Sequence, residues 1–125
     1  MPLTWLAVAL GGALGALARY GLSGWMHAAT GWLFPIGTLT VNLAGSFLLG
    51  LLLQATTERY LMAPELRLAL TTGLCGSLTT FSTFSYETLV LLEEQQWAAA
   101  GLNTVLNLVL CLGAVFLGQV TGRAV

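Results

Sequence analysis

Four long apolar runs, separated by short polar breaks, account for nearly the whole chain. They cover about residues 3–26, 36–57, 66–92 and 97–121. Each has roughly the 20 residues that a helix needs to cross the hydrocarbon core of a bilayer. The connections, 27–35, 58–65 and 93–96, are short. The pattern predicts an all-α integral membrane protein, a single domain of four transmembrane helices over residues 1–125. The first run is too long, and too glycine-rich near its end, for a cleaved signal peptide, and no basic stretch precedes it.

The third run breaks its own pattern. Residues 71–87, TTGLCGSLTTFSTFSYE, place Ser77, Thr79, Thr80, Ser82, Thr83 and Ser85 close together behind Gly73 and Gly76. Hydrocarbon offers no partner to a hydroxyl or a free backbone group. Such a segment is tolerated where it is buried in protein or lines a wet cavity, and interrupted membrane helices often carry ion or substrate sites. The third helix is therefore expected to break near its middle, and this stretch to be the working part.

Polar positions in the other runs recur at helical spacing. Thr38, Asn42 and Ser46 lie four apart on one face of the second run. Hydrogen bonding between helices accounts well for Thr38 and Ser46, whereas the amide of Asn42 also offers two donors suited to an anion. Asn103, Asn107 and Cys111 form a similar line on the fourth run; spacing fits pore lining and helix gluing equally. Gly11 and Gly15 make a small face for close helix packing. Arg19 lies deep in the first run, where a charge is costly and usually functional. Snorkelling towards the interface near Tyr20 and Ser23 is an equal alternative.

Composition then narrows the class. The chain is 57% hydrophobic and only 7% charged, against about 25% charged in soluble domains. There is no basic patch for nucleic acid. Cys75 and Cys111 suggest neither a disulfide framework nor a metal cluster. No histidine lies in a predicted span and no nucleophile–base pair is evident, so an enzyme is not expected. Trp5, Trp25, Trp32, Tyr60 and Trp97 sit near predicted span ends, as an interfacial belt would. Arg59, Arg67 and Arg123 would share one side of the membrane, a modest bias that favours inside termini.

Three segments carry a resemblance to a known family. GGALGALARY, GTLTVNLAGSFLLG and GLCGSLTTFSTFSYE resemble, in order and separation, the signature segments of the Fluc (CrcB-type) fluoride channels. The resemblance implies a small dual-topology protein that pairs as an antiparallel homodimer in the cell inner membrane. It implies two pores and a central structural sodium ion, with passive export of fluoride that relieves fluoride toxicity. It places Asn42, Phe81, Phe84, Asn103 and Asn107 on the fluoride pathway, and Ser82, Thr83, Glu87 and Arg19 are assigned to the same pathway. It places the sodium on the backbone carbonyls of Gly76 and Thr79. Phe81 and Phe84, three apart, would share a helical face; a phenyl edge is positive, although apolar packing is the commoner fate of such a pair. Cys111 departs from the family's polar track, because a thiol is a weak donor. A four-helix multidrug exporter would have similar size but should carry an acid in its first span, where this chain has Arg19. A structural subunit would leave the hydroxyls and phenylalanines unexplained.

Overall fold

The computed structural model describes residues 1–59 and 62–125, and is helical almost throughout. Tyr60, assigned above to the aromatic belt, lies outside the described residues, as do the side chains of Glu58 and Arg59. Helix α1 spans Pro2–Thr30, α2 spans Ile36–Arg59 and α6 spans Trp97–Ala124. All three are long and apolar enough to cross a membrane. The third run is divided. It comprises α3 (Pro64–Leu68), a π-helical stretch Ala69–Cys75, α4 (Gly76–Leu78) and α5 (Phe81–Glu93). Its longest piece has 13 residues, too few to cross the hydrocarbon alone.

Local chemistry sets the ends. Pro2 occupies the first turn of α1, where its missing N–H costs nothing. Gly31 closes that helix in the left-handed conformation (φ 61°), with its N–H donating to the His27 carbonyl at 2.9 Å. The helix thus runs one turn past the predicted end at Met26. Between α5 and α6 the chain turns through Gln95, whose φ of 59° is uncommon for a residue other than glycine.

Packing follows small residues. α1 lies against the π-helical stretch and α2 lies against α6. A Cβ on Gly11 would overlap the Ala69 carbonyl, and one on Gly15 the Leu74 carbonyl. The expected small face of α1 is therefore in use. An equivalent pair, Gly118 and Gly122, brings α6 onto the backbone of α2 at Phe47 and Leu51. That pair also lies four apart.

The interior and exterior are inverted relative to a soluble protein. Large apolar side chains such as Leu14, Leu17, Trp25, Leu112 and Phe116 are exposed, as lipid or a partner would require. The buried set includes Thr38, Asn42, Thr71, Thr80, Asn103 and Asn107. Trp5, Trp25, Trp32 and Trp97 all face outward. Many hydroxyls satisfy themselves by donating to the carbonyl one turn back, including Thr30, Thr40, Thr56, Thr104 and Thr121.

Candidate functional site

The break at Thr79–Thr80 builds the site. Both residues are extended, at φ −81°, ψ 155° and φ −150°, ψ 113°. In an unbroken helix the Thr80 amide would bond the Gly76 carbonyl, and the Thr83 amide the Thr79 carbonyl. Neither does so. The Thr80 N–H donates to Asn42 Oδ1 at 2.7 Å, and the Thr83 N–H donates to Thr80 Oγ1 at 3.1 Å. Side chains have replaced two helical acceptors, which releases the Gly76 and Thr79 carbonyls from those amides. The adjoining π-helical stretch is itself a rare geometry, met most often at functional sites.

Asn42 clips the break from the neighbouring helix. Its Nδ2 donates to the Thr80 carbonyl at 3.3 Å and to Asn107 Oδ1 at 3.0 Å. Asn107 Nδ2 donates in turn to Asn103 Oδ1 at 3.0 Å, and Asn103 Nδ2 to Thr88 Oγ1 at 2.9 Å. A continuous chain of amides and hydroxyls thus joins α2, the break, α6 and α5. Both donors of Asn42 are engaged within the protein. Helical spacing alone leaves them free for an anion; the fold brings Thr80 and Asn107 within reach and takes both.

A cavity of about 370 Å³ opens beside this chain. Its wall includes Asn42, Asn107, Thr79, Thr80, Phe81 and Phe84, together with Ser46 and Cys111. The phenyl centroids of Phe81 and Phe84 are 5.4 Å apart and tilted by 53°. Their surroundings differ: Phe84 is 8% exposed, whereas Phe81 is 75% exposed at the rim. Among the described residues, no charged side chain lines this cavity.

A second cavity, also about 370 Å³, lies on the far side of Thr80. Arg19, Tyr20, Ser23, His27, Thr38 and Thr83 contribute to it. Arg19 Nε is buried and has no hydrogen-bond partner among the described residues. A third, of about 270 Å³, holds His27, Glu87 and Glu94. There Glu87 Oε1 accepts from Thr38 Oγ1 at 2.7 Å, while its buried Oε2 has no partner among the described residues.

The expected residues therefore fall into groups. Asn42, Asn107, Phe81, Phe84 and Thr79 meet at the first cavity, and Arg19 and Thr83 at the second. Asn103 is fully buried and lines neither, serving as a link in the amide chain. Glu87 belongs to the third cavity, while Ser82 and Gly76 are exposed at the surface. Thr80 stands among the clustered hydroxyls without a role of its own in the sequence, and Thr88 and His27 carry none there either. Thr88 had a legible signal, lying one turn after Phe84, whose carbonyl accepts its hydroxyl at 2.8 Å. Thr80 and His27 act through contacts distant in sequence.

Residues 6–119 match the family model described as CrcB-like protein, Camphor Resistance (CrcB). A protein of Geobacter metallireducens is 50% identical over 97% of this chain and 98% of its own length. One from Sorangium cellulosum is 51% identical over 95% and 94%, and one from Shewanella sp. ANA-3 is 53% identical over 91% of each. All three carry the name fluoride-specific ion channel FluC. With a family model covering most of its length and relatives near 50% identity over almost all of it, the chain belongs to the CrcB family.

Proposed function

We propose that this protein is a fluoride-selective channel that lets fluoride leave the cytoplasm passively, in the cell inner membrane, as an antiparallel homodimer. The observation that carries the reading is the uncharged cavity at the helix break, walled by amides, hydroxyls and two tilted phenyl rings. The names of the relatives support it. A small anion leaving water needs donors, and a fixed positive charge would hold it too tightly to pass. Asn42 and Asn107 carry amide N–H groups, both pairs engaged within the protein, and the phenyl edges of Phe81 and Phe84 offer weak positive potential. Because Asn42 Nδ2 is already bonded, an entering fluoride takes the place of an existing acceptor. The 3.3 Å bond to the Thr80 carbonyl is the longer of its two, so it yields first.

Assembly follows from what one chain leaves open. Phe81 is exposed at the cavity rim, beside Ser82. A second copy would cover this face and complete two pores. The charge bias that insertion in both orientations has to overcome is three arginines, Arg59, Arg67 and Arg123. The carbonyls of Gly76 and Thr79, released from their helical amides, fit a hard cation such as sodium. A sodium ion held by these oxygens would supply positive charge against their partial negative charge and so link two copies.

Purified protein in liposomes tests the reading. Vesicles loaded with potassium fluoride should release it when a potassium ionophore balances charge, while chloride-loaded vesicles should retain their contents. Equal release of both anions refutes selectivity, and no fluoride release refutes the channel.

A further inference from the structure

We infer that the Ser46 hydroxyl is the donor that takes fluoride in the uncharged cavity, and that it does so by leaving the Cys111 thiol. The inference rests on the fluoride-channel reading and adds a binding residue to it.

Ser46 lies one turn beyond Asn42 on α2, and Cys111 one turn beyond Asn107 on α6. Asn42 and Asn107 are joined at 3.0 Å, and the Ser46 hydroxyl is hydrogen-bonded to the Cys111 thiol. The two helices therefore share two polar rungs, about 6 Å apart along the helix axis. Both rungs line the same cavity. One turn further along, Gly50 brings α2 onto the backbone of α6, where a Cβ would overlap the Val115 carbonyl. Beyond Ser46 and Cys111, the wall at that end is Leu49, Leu112 and Val115 among the described residues. Ser46 is thus the last donor on this side of the cavity.

The donors of the wall differ in what they must give up. Asn42 Nδ2 is bonded to the Thr80 carbonyl and to Asn107 Oδ1, and Asn107 Nδ2 to the carbonyl and Oδ1 of Asn103. The Thr79 hydroxyl donates to the Cys75 carbonyl, and the Thr80 hydroxyl to Thr83 Oγ1. Each of these donors holds an oxygen. Drawing it away strands a buried acceptor, which is costly. Ser46 differs, because its partner is sulfur. A thiol is a weak donor and a weak acceptor, so its release costs little. A hydrogen bond from O–H to a small anion is charge-assisted and stronger than a neutral one. Exchanging sulfur for fluoride is therefore favourable, while exchanging an oxygen for fluoride is closer to balance. The hydroxyl also brings no fixed charge, which leaves the ion free to move on.

The test is the initial rate of fluoride efflux from liposomes, with cross-linked mass and detergent melting measured on the same preparations. Ser46→Ala should lower the rate about tenfold, near the low end of what a hydrogen bond to a charged group contributes. Ser46→Cys keeps the shape but leaves only a weak S–H donor, and should lower the rate about as far. Ser46→Thr restores an O–H and should recover most of it. Cys111→Ala removes the competing partner and should conduct faster than the parental protein. Cross-linked mass and melting should hold in all four, whereas a purely structural role for Ser46 would move them together with the rate. Should Ser46→Ala fail to assemble, Ser46→Cys decides. Ser46→Cys at the parental rate overturns the inference. So does Cys111→Ala as slow as Ser46→Ala, which would assign the donor to the thiol. Either result, with fluoride still conducted by the parental protein, leaves the channel reading standing; loss of parental fluoride conduction removes both.

Discussion

The two cavities that meet at Thr80 have about the same volume, 370 Å³ each, and opposite chemistry. One is walled by amides, hydroxyls and phenyl rings and carries no charge. The other holds a guanidinium and an imidazole. A fixed positive charge attracts any anion and cannot by itself tell fluoride from chloride. Neutral donors at close quarters attract weakly, but they discriminate by how well they replace lost water. On the fluoride-channel reading, the difference would separate attraction from selection and give each its own chamber, with Thr80 of the break lining both.

The most damaging way to break this comparison is to unfasten Thr80. Asn42→Leu deletes the acceptor of the Thr80 N–H, a donor to the Thr80 carbonyl and the donor to Asn107. Each buried polar group left unpaired costs about 1–3 kcal/mol. The variant should lose fluoride flux, and its thermal unfolding in detergent should fall by many degrees. A parental melting profile with flux abolished would mean that Asn42 serves the pathway without holding the break.

The next effect isolates the uncharged chamber. Phe81→Ile and Phe84→Ile retain bulk but remove the positive ring edge. Phe81 is largely exposed and Phe84 buried, so only the second should disturb packing, by about 1 kcal/mol. Fluoride flux should drop more than tenfold in both, with dimer mass unchanged by cross-linking. Phe81→Ile is the cleaner of the two, because one chain's packing scarcely depends on it. Parental flux in that variant would reduce the rings to scaffold.

These contrasts show what one sequence can carry. The four apolar runs, the close approach at Gly11 and Gly15, and the position of the break were all legible, because each rests on local spacing. The glycine pair at Gly118 and Gly122 was equally legible and went unread. The clip from Asn42 to Thr80 was not legible, since it joins residues 38 positions apart. Nor could spacing show that Asn103 would be a buried link while Asn107 reaches the cavity, although they lie one turn apart on the same helix. The abundance of hydroxyls over residues 71–87 overstated the site. Thr71 and Ser85 donate to carbonyls one turn back, and Thr80 is the hydroxyl that organises the rest.

A smaller effect belongs to the charged chamber. Arg19→Gln removes a cation whose Nε is buried without a hydrogen-bond partner among the described residues, so little internal bonding is lost. Flux should fall several-fold at low ionic strength. The deficit should shrink as salt rises, because screening weakens attraction at a distance. Fluoride over chloride selectivity should be unchanged. A selectivity loss in Arg19→Gln would merge the two chambers into one functional unit.

The smallest expected effect tests the backbone of the break itself. Thr79 lines the uncharged cavity, and its hydroxyl donates to the Cys75 carbonyl at 3.1 Å. Its methyl packs at Gly45, where a Cβ would overlap it. If its carbonyl oxygen is what sodium uses, Thr79→Ser keeps both that oxygen and the hydroxyl and deletes only the methyl. The lost burial amounts to about 0.8 kcal/mol at most, too little to undo the break. Flux should stay within about twofold of the parental rate, since 0.8 kcal/mol is a factor of about four and only part of it falls on the conducting state. Thr79→Val, which keeps bulk and backbone and removes the hydroxyl, should behave similarly. The comparison of the two separates carbonyl from side chain. Loss of flux in the Val variant alone would assign the role at Thr79 to its hydroxyl and leave the carbonyl of Gly76 as the remaining candidate for the ion.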